Sequence, residues 1–166
     1  MPCSCIVDKP EYPQNEEWGP LLWLVLHTLA EKAGRQESML TRGDEMRAWP
    51  LFVKTLPPAI PCPYCRDHLQ SYLNSHPFTL PMDYYEWRTY IPTYFYELHE
   101  DVNRRLGKPS FPYADLSVTY KDVGRVKPTM DRLDKIQERA IKMGGVSLFH
   151  WRAWLKQLNM LKASIF

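Results

Sequence analysis

Four cysteines, arranged as two close pairs, are the residues of this sequence best suited to covalent chemistry. Cys3 and Cys5 form a CxC pair, Cys62 and Cys65 form a CxxC pair, and the sequence contains no other cysteine. Disulfides that stabilise a scaffold close long loops, so their cysteines are scattered along the chain. Two local pairs instead indicate thiol–disulfide exchange or metal binding.

The CxxC pair, Cys62-Pro63-Tyr64-Cys65, is predicted to open a helix. The thiolate is the reactive form of cysteine, and the dipole and unpaired N–H groups of a helix N-terminus lower a cysteine pKa. Two intervening residues allow the sulfurs to meet across the first turn, so the pair can cycle between dithiol and disulfide. Arg66 follows directly and adds positive potential.

A CxxC motif alone is compatible with three kinds of protein. A zinc half-site completed by Cys3 and Cys5 has a poor ligand spacing, and no Cys or His pair lies at the usual second spacing. Glutaredoxins carry the same CPYC sequence after a buried strand, whereas residues 56–61 contain three prolines and predict no strand. The third kind is a flavin-linked thiol oxidase, for which the sequence outside the motif is informative.

Hydrophobic periodicity predicts an all-α protein without strands or internal repeats. We expect Gly34 to follow the first helix, Asp44 to cap the second, and Pro92 to kink or interrupt the long fourth helix. Residues 57–61, PPAIP, are expected to be non-helical. The predicted helices cover residues 18–30, 44–56, 62–74, 83–106, a short segment at 113–121, 127–143 and 146–163.

Composition and charge exclude several classes of protein. Hydrophobic residues make up 45% of the chain and aromatic residues 13%, which indicates a compact domain rather than disorder. No apolar run approaches the roughly 18 residues of a spanning helix, so we expect no membrane insertion. Residues 117–166 carry 10 Lys+Arg against 4 Asp+Glu. They lack the arginine cluster and interleaved aromatics of a nucleic-acid site, so no nucleic-acid partner is expected.

Two further motifs flank the CxxC pair. Residues 18–30, WGPLLWLVLHTLA, match the pattern G-x-x-x-W-x-x-L-H-x-x-A. Residues 98–109, LHEDVNRRLGKP, match H-N-x-V-N-x-x-L-G-K-P except at the second position. With the CxxC between them, these motifs resemble the Erv/ALR family of FAD-linked sulfhydryl oxidases over about residues 18–121.

The resemblance implies FAD as the cofactor and names the residues around it, with no metal. Trp23 and His27, four residues apart on the first helix, would line the cofactor. Arg105 and Lys108 would meet its ribose or pyrophosphate, and Tyr120 would close over the adenine. The full implied set is Gly19, Trp23, His27, His99, Val102, Asn103, Arg105, Leu106, Lys108 and Tyr120.

The resemblance also implies how electrons move. Cys65 would be the sulfur next to the flavin, and Cys62 the outer sulfur that receives electrons from incoming thiols. Cys3 and Cys5 would be a shuttle pair on a flexible arm, relaying electrons from a substrate dithiol to Cys62. The implied activity is disulfide formation in dithiol-containing protein substrates, with molecular oxygen reduced to hydrogen peroxide.

The implied architecture is a four-helix bundle that holds FAD, with a short fifth helix and additional C-terminal helices. We expect an arm at residues 1–17, an oxidase domain at 18–121 and a basic helical extension at 122–166. The family is usually a homodimer through the first two helices. With no secretory signal in the sequence, the expected location is the cytoplasmic assembly site or virion of a large DNA virus, or alternatively the mitochondrial intermembrane space.

Three departures from the family pattern leave rival hypotheses open. Glu100 stands where the family has asparagine, and residues 31–34 lack the usual aromatic residues and proline. Asn74 and Tyr113 replace the family's additional structural cysteines. The rivals are a non-enzymatic, oxidase-like structural or assembly protein and a zinc-binding adaptor.

Overall fold

The computed structural model describes residues 11–166, and in that range the chain forms helices and no strand. The all-α prediction is therefore confirmed. The helices are α1 (Asn15–Ala30), α2 (Met39–Ala59), α3 (Pro63–Ser75), α4 (Trp87–Arg105), α5 (Leu116–Thr119), α6 (Val126–Lys142) and α7 (Leu148–Ile165). Among the residues described, none of these helices has the length and apolar character needed to cross a membrane.

The first two helices begin earlier than their apolar patterns predict, because polar side chains cap them. The backbone N–H of Gln14 donates to the Glu17 carboxylate (2.9 Å), so α1 begins at Asn15 rather than Trp18. The Ser38 hydroxyl accepts from the N–H of Leu40 (3.2 Å) and starts α2 at Met39. The prediction of Asp44 as the N-cap was wrong.

Proline interrupts the helices less than expected. The prediction of a non-helical segment at 57–61 was wrong for its first three residues, since α2 continues through Pro57 and Pro58 to Ala59, and was confirmed only for residues 60 and 61. Each proline removes one backbone hydrogen bond, but Leu56 and Ala59 are buried in the core and hold this last turn in place. The helix therefore carries the chain almost directly to the CxxC pair. Pro92 lies inside α4, whose start is a 3₁₀ turn at Tyr84–Glu86.

Two layers of helices share one hydrophobic core. Helix α1 packs against α4, and α2 against α3, while α6 lies along α1 and α7 lies along α2. The rings of Phe52 in α2 and Trp154 in α7 are 5.4 Å apart, and Trp49 meets Phe52 edge-on at 5.8 Å. Residues 122–166 thus contribute to the same core as residues 18–121. They cover the two helices through which the resemblance predicts a homodimer.

A buried carboxylate joins α2 to the segments around it. Glu45 is fully buried and accepts hydrogen bonds from the backbone N–H of Gly34 (2.9 Å), the indole of Trp49 (3.0 Å) and the hydroxyl of Tyr84 (2.6 Å). Gly34 has φ of 69°, and a β-carbon there would crowd the backbone of Tyr84 and Arg88. Glu45 therefore ties the turn after α1 and the start of α4 to α2.

Replacing Glu45 should destabilise the fold strongly. Glu45→Ala leaves three donors without their acceptor, which should cost about 3 kcal/mol or more of unfolding free energy. Denaturant unfolding compares the free energy of unfolding of this variant with that of Glu138→Ala. Glu138 lies at an exposed position on α6. Equal stability of the two variants would contradict the role given to Glu45.

Candidate functional site

A cavity of about 280 Å³ opens between α1, α3 and α4, with the end of α2 forming its floor. We call it the aromatic cavity. It brings together nine of the ten residues predicted to hold a cofactor, from sequence positions as far apart as 19 and 120. These are Gly19, Trp23, His99, Val102, Asn103, Arg105, Leu106, Lys108 and Tyr120.

The CxxC pair forms a disulfide at the edge of this cavity. Cys62 is the N-cap of α3, and its sulfur accepts from the backbone N–H of Cys65 (3.1 Å), as the predicted helix start requires. Cys65 lines the cavity and Cys62 does not. The side-chain amide of Asn15 donates to the Cys65 sulfur (3.4 Å). The predicted shuttle pair, Cys3 and Cys5, lies outside the described residues.

Arg66 holds the backbone around the CxxC pair. Its guanidinium donates to the carbonyls of Ile60 (3.0 Å) and Gly145 (2.9 Å). The first contact secures the residues that lead into Cys62, and the second ties them to the connection between α6 and α7. The side chain was predicted only to add positive potential, and this positioning contact depends on a residue 79 positions away.

One wall of the cavity is a stack of aromatic rings. The rings of Trp23 and His99 lie nearly parallel, 3.9 Å between centroids at 7°. His27 is hydrogen-bonded to His99 through ring nitrogens 2.9 Å apart and stacks on Tyr120 at 4.6 Å. His27 is only 2% exposed and lies behind His99 rather than on the cavity wall. His27 was predicted to line the cofactor, but in this structure only its hydrogen-bond partner His99 lines the cavity.

Both histidines of this pair are uncharged at neutral pH. Burial, and secondarily repulsion from the His99 ring when that ring is protonated, lowers the pKa of His27 to about 3. Burial also lowers the pKa of His99 to about 4, against the opposing effect of Glu100. One neutral ring donates the hydrogen bond and the other accepts it, so the stack has an apolar face and no charge.

The cavity also carries cationic groups and unpaired donors. Arg105 and Lys108 line it, and the Arg105 guanidinium lies over the Tyr64 ring at 5.0 Å. Among residues 11–166, the buried Nε of Arg105 and the indole N–H of Trp18 have no hydrogen-bond partner. Buried donors are normally paired. Flat apolar walls, free donors and cations together fit a planar cofactor that carries phosphate groups.

Sequence reasoning missed Asn15, Trp18 and His68, which also line the cavity. The imidazole of His68 pairs with the Asp101 carboxylate (3.0 Å). Burial and Arg105 lower the pKa of His68, and Asp101 partly opposes them. His68 follows Cys65 by three residues and so lies on the same face of α3, a spacing that could have identified it.

The departures from the family pattern have structural roles. Glu100 accepts hydrogen bonds from the Ser110 hydroxyl (2.5 Å) and the Phe111 N–H (2.9 Å), and so orders the connection after α4. Tyr113, at a position of a family cysteine, bonds to the Thr93 hydroxyl (2.8 Å). These contacts join α4 to the segment that carries Tyr120 without a disulfide.

Comparison with known proteins places these features in context. The chain matches the model of the Erv1 / Alr family over residues 20–121. A putative FAD-linked sulfhydryl oxidase of Invertebrate iridescent virus 6 is 31% identical over 97 residues, which cover 57% of this chain and 84% of the viral protein. The FAD-linked sulfhydryl oxidase of African swine fever virus (isolate Tick/Malawi) is 31% identical over 111 residues, 63% of this chain and 80% of that protein.

A plant protein extends the similarity beyond viruses. An FAD-linked sulfhydryl oxidase of rice (Oryza sativa subsp. japonica) is 28% identical over 100 residues, 59% of this chain. The match spans about half of the rice protein, 46% of its length. No solved structure matches the chain at a significant level.

The neutral histidine pair should make stability depend on pH. Because the unfolded histidines bind protons below about pH 6.5 and the folded ones do not, the free energy of unfolding falls as the pH drops from 6.5 toward 4. At pH 5 the loss is roughly 2 kcal/mol per histidine. Between pH 7 and pH 5, the free energy of unfolding of His27→Gln should therefore fall by about 2 kcal/mol less than that of the parent protein. Denaturant unfolding measures this, and His150→Gln, at an exposed position, should behave like the parent.

Proposed function

Since this chain belongs to the Erv1/Alr family, we propose that it is an FAD-dependent sulfhydryl oxidase that forms disulfides in dithiol-containing proteins and reduces O₂ to hydrogen peroxide. One observation carries the proposal: the Cys62–Cys65 disulfide stands at the edge of the aromatic cavity, with Cys65 in its wall. A redox-active disulfide thereby adjoins a site suited to a planar, phosphate-bearing cofactor.

The positions of the two sulfurs support the roles that we propose for them. Both cysteines are partly exposed, but only Cys65 lines the cavity, so we assign the attack of an incoming substrate thiolate to Cys62. The Cys62–Cys65 bond breaks and Cys65 leaves as a thiolate, beside the Asn15 amide that donates to its sulfur. A second substrate thiolate then attacks the mixed disulfide, releasing the oxidised substrate and leaving two electrons on the reduced CxxC pair. Bound FAD supplies the two-electron acceptor that reoxidises this pair and reduces O₂.

The residues of the aromatic cavity would hold FAD by two kinds of contact. The parallel rings of Trp23 and His99 provide flat surfaces for a planar ring system. Arg105 and Lys108 provide cations for the pyrophosphate or ribose oxygens. The unpaired donors of Arg105 and Trp18 support the same assignment, because a bound cofactor would give them acceptors.

Two finer assignments complete the proposal. The similarity to oxidases of iridescent and African swine fever viruses supports a role for this chain in a large DNA virus, at the assembly site in the host cytoplasm or in the virion. The mitochondrial intermembrane space is the alternative location. The homodimer stays a prediction from the resemblance, and α6 and α7 lie on the helices that would form it.

Oxidase activity should depend on Cys65 while flavin binding does not. We expect the purified protein to show the visible absorption of oxidised flavin and to consume O₂ when dithiothreitol is added. Cys65→Ser should keep the flavin absorption but lose more than about 100-fold in activity, because a single thiol cannot carry two electrons. A folded protein without flavin, or a Cys65→Ser variant of undiminished activity, would contradict the proposed function and favour the structural or zinc-binding rivals.

Loss of the cavity's cations should weaken FAD binding. Lys108→Ala removes one charged donor and should raise the dissociation constant of FAD about tenfold or more. Titration of the flavin-depleted protein with FAD, followed by flavin fluorescence, measures the change. Lys121→Ala, another exposed lysine that does not line the cavity, should bind FAD as the parent does.

A further inference from the structure

One side chain of α1 contacts a redox-active sulfur directly. Asn15, the first residue of α1, donates a hydrogen bond from its side-chain amide to the sulfur of Cys65 on α3 (3.4 Å). Both residues are partly buried and line the aromatic cavity. Among residues 11–166, no other side chain donates a hydrogen bond to this sulfur. The Asn15 amide therefore belongs to the surroundings in which Cys65 reacts.

The cap of α1 fixes the position of Asn15. The backbone N–H of Gln14 donates to the Glu17 carboxylate (2.9 Å), and the Arg139 guanidinium of α6 pairs with the same carboxylate. The Gln14 N–H, and secondarily Arg139, lower the pKa of Glu17, so the cap stays ionised at neutral pH. The amide that reaches Cys65 is therefore held on a capped helix end, which α6 supports.

The two sulfurs of the CxxC pair compete for the negative charge that reduction of their disulfide creates. Cys62 is the N-cap of α3, and its sulfur accepts from the backbone N–H of Cys65 (3.1 Å), which favours a thiolate at Cys62. That sulfur does not line the cavity. A hydrogen-bond donor stabilises a thiolate more than a neutral thiol. The Asn15 amide therefore favours a thiolate at Cys65, on the cavity side.

The ionisable side chains around the cavity do not make this distinction between the two sulfurs. Those that line the cavity are His68 of α3, His99 and Arg105 of α4, Lys108 and Tyr120, and the two glutamates in the first turn of α1 are exposed to solvent. Burial lowers the pKa of His99 to about 4, so its ring is neutral. Among the described residues, none of these side chains donates a hydrogen bond to either sulfur. The contact of Asn15 is the one that singles out Cys65 in this part of the chain.

We propose that Asn15 is a catalytic residue of the oxidase, and that its amide stabilises the Cys65 thiolate formed when the CxxC disulfide is reduced. This inference rests on the proposed function. As a substrate thiolate forms a bond to Cys62, the Cys62–Cys65 bond breaks and its electron pair stays on the Cys65 sulfur, toward which the Asn15 N–H is directed. The amide keeps its proton throughout. Because a more stable thiolate is a better leaving group, Asn15 directs the attack to Cys62.

Titration of each cysteine by itself tests this role. The variant Cys3→Ser/Cys5→Ser/Cys62→Ser keeps only the Cys65 thiol, and Cys3→Ser/Cys5→Ser/Cys65→Ser keeps only the Cys62 thiol. The pH dependence of alkylation by iodoacetamide gives the pKa of the remaining thiol in the full-length protein. Addition of Asn15→Leu should raise the pKa of Cys65 by about one unit, because the thiolate loses a charge-assisted hydrogen bond. The pKa of Cys62 should stay nearly unchanged.

Two further substitutions complete the test. Asn15→Asp places a carboxylate beside the sulfur, at a helix position that favours acidic residues, so the fold is kept and the pKa of Cys65 should rise further than in Asn15→Leu. Asn159→Leu, at an exposed position on α7, should leave both thiols unchanged. An unchanged Cys65 pKa in either Asn15 variant, or an equal rise at Cys62 in Asn15→Leu, would overturn the proposal. The titration requires neither turnover nor O₂, so failure of the oxidase function would leave its result interpretable.

Discussion

The position of Cys62 as the N-cap of α3 is the constraint on which the site depends. Its sulfur accepts a backbone N–H of the first turn, and the disulfide partner Cys65 is thereby turned toward the aromatic cavity. The unbroken α2 delivers the chain to this cap, and Arg66 secures the intervening carbonyl of Ile60. Because the two sulfurs differ in their surroundings, one can face thiols from outside while the other faces the cavity.

The aromatic wall imposes a second condition, since a flat cofactor surface must be built without a buried charge. This wall contains two neutral histidines, His27 and His99, and a hydrogen bond between their rings pairs one buried nitrogen of each. The cations of the site, Arg105 and Lys108, line the same cavity near the C-terminal end of α4. An apolar aromatic face and two cations in one cavity match the two kinds of group in a dinucleotide, its planar rings and its phosphates.

Much of the site could be predicted from sequence because its motifs lie within single helices. The resemblance of these motifs to the Erv/ALR family named Trp23 and the residues from His99 onward, and they line the aromatic cavity. Contacts between helices carry no such local signal. His27 falls behind His99 because of how α1 packs on α4, and Asn15 reaches Cys65 across 50 residues.

The helix ends show the same division between local and tertiary effects. The start of α3 followed from Pro63 and the cysteine spacing, whereas core burial of Leu56 and Ala59 overrides the helix-breaking tendency of Pro57 and Pro58. The amphipathic patterns after residue 122 predicted two helices but not their place on α1 and α2. That placement arises from pairings such as Phe52 with Trp154, which only the folded chain reveals.

The central claim is that Cys65, and not Cys62, faces the flavin, and a charge-transfer spectrum tests it most directly. A thiolate in contact with oxidised flavin produces a broad absorption at long wavelength. In Cys62→Ser, we predict that the free Cys65 thiolate gives this band, and that Cys65→Ser shows flavin absorption without it. The band in Cys65→Ser, or its absence from a flavin-loaded Cys62→Ser, would contradict the account.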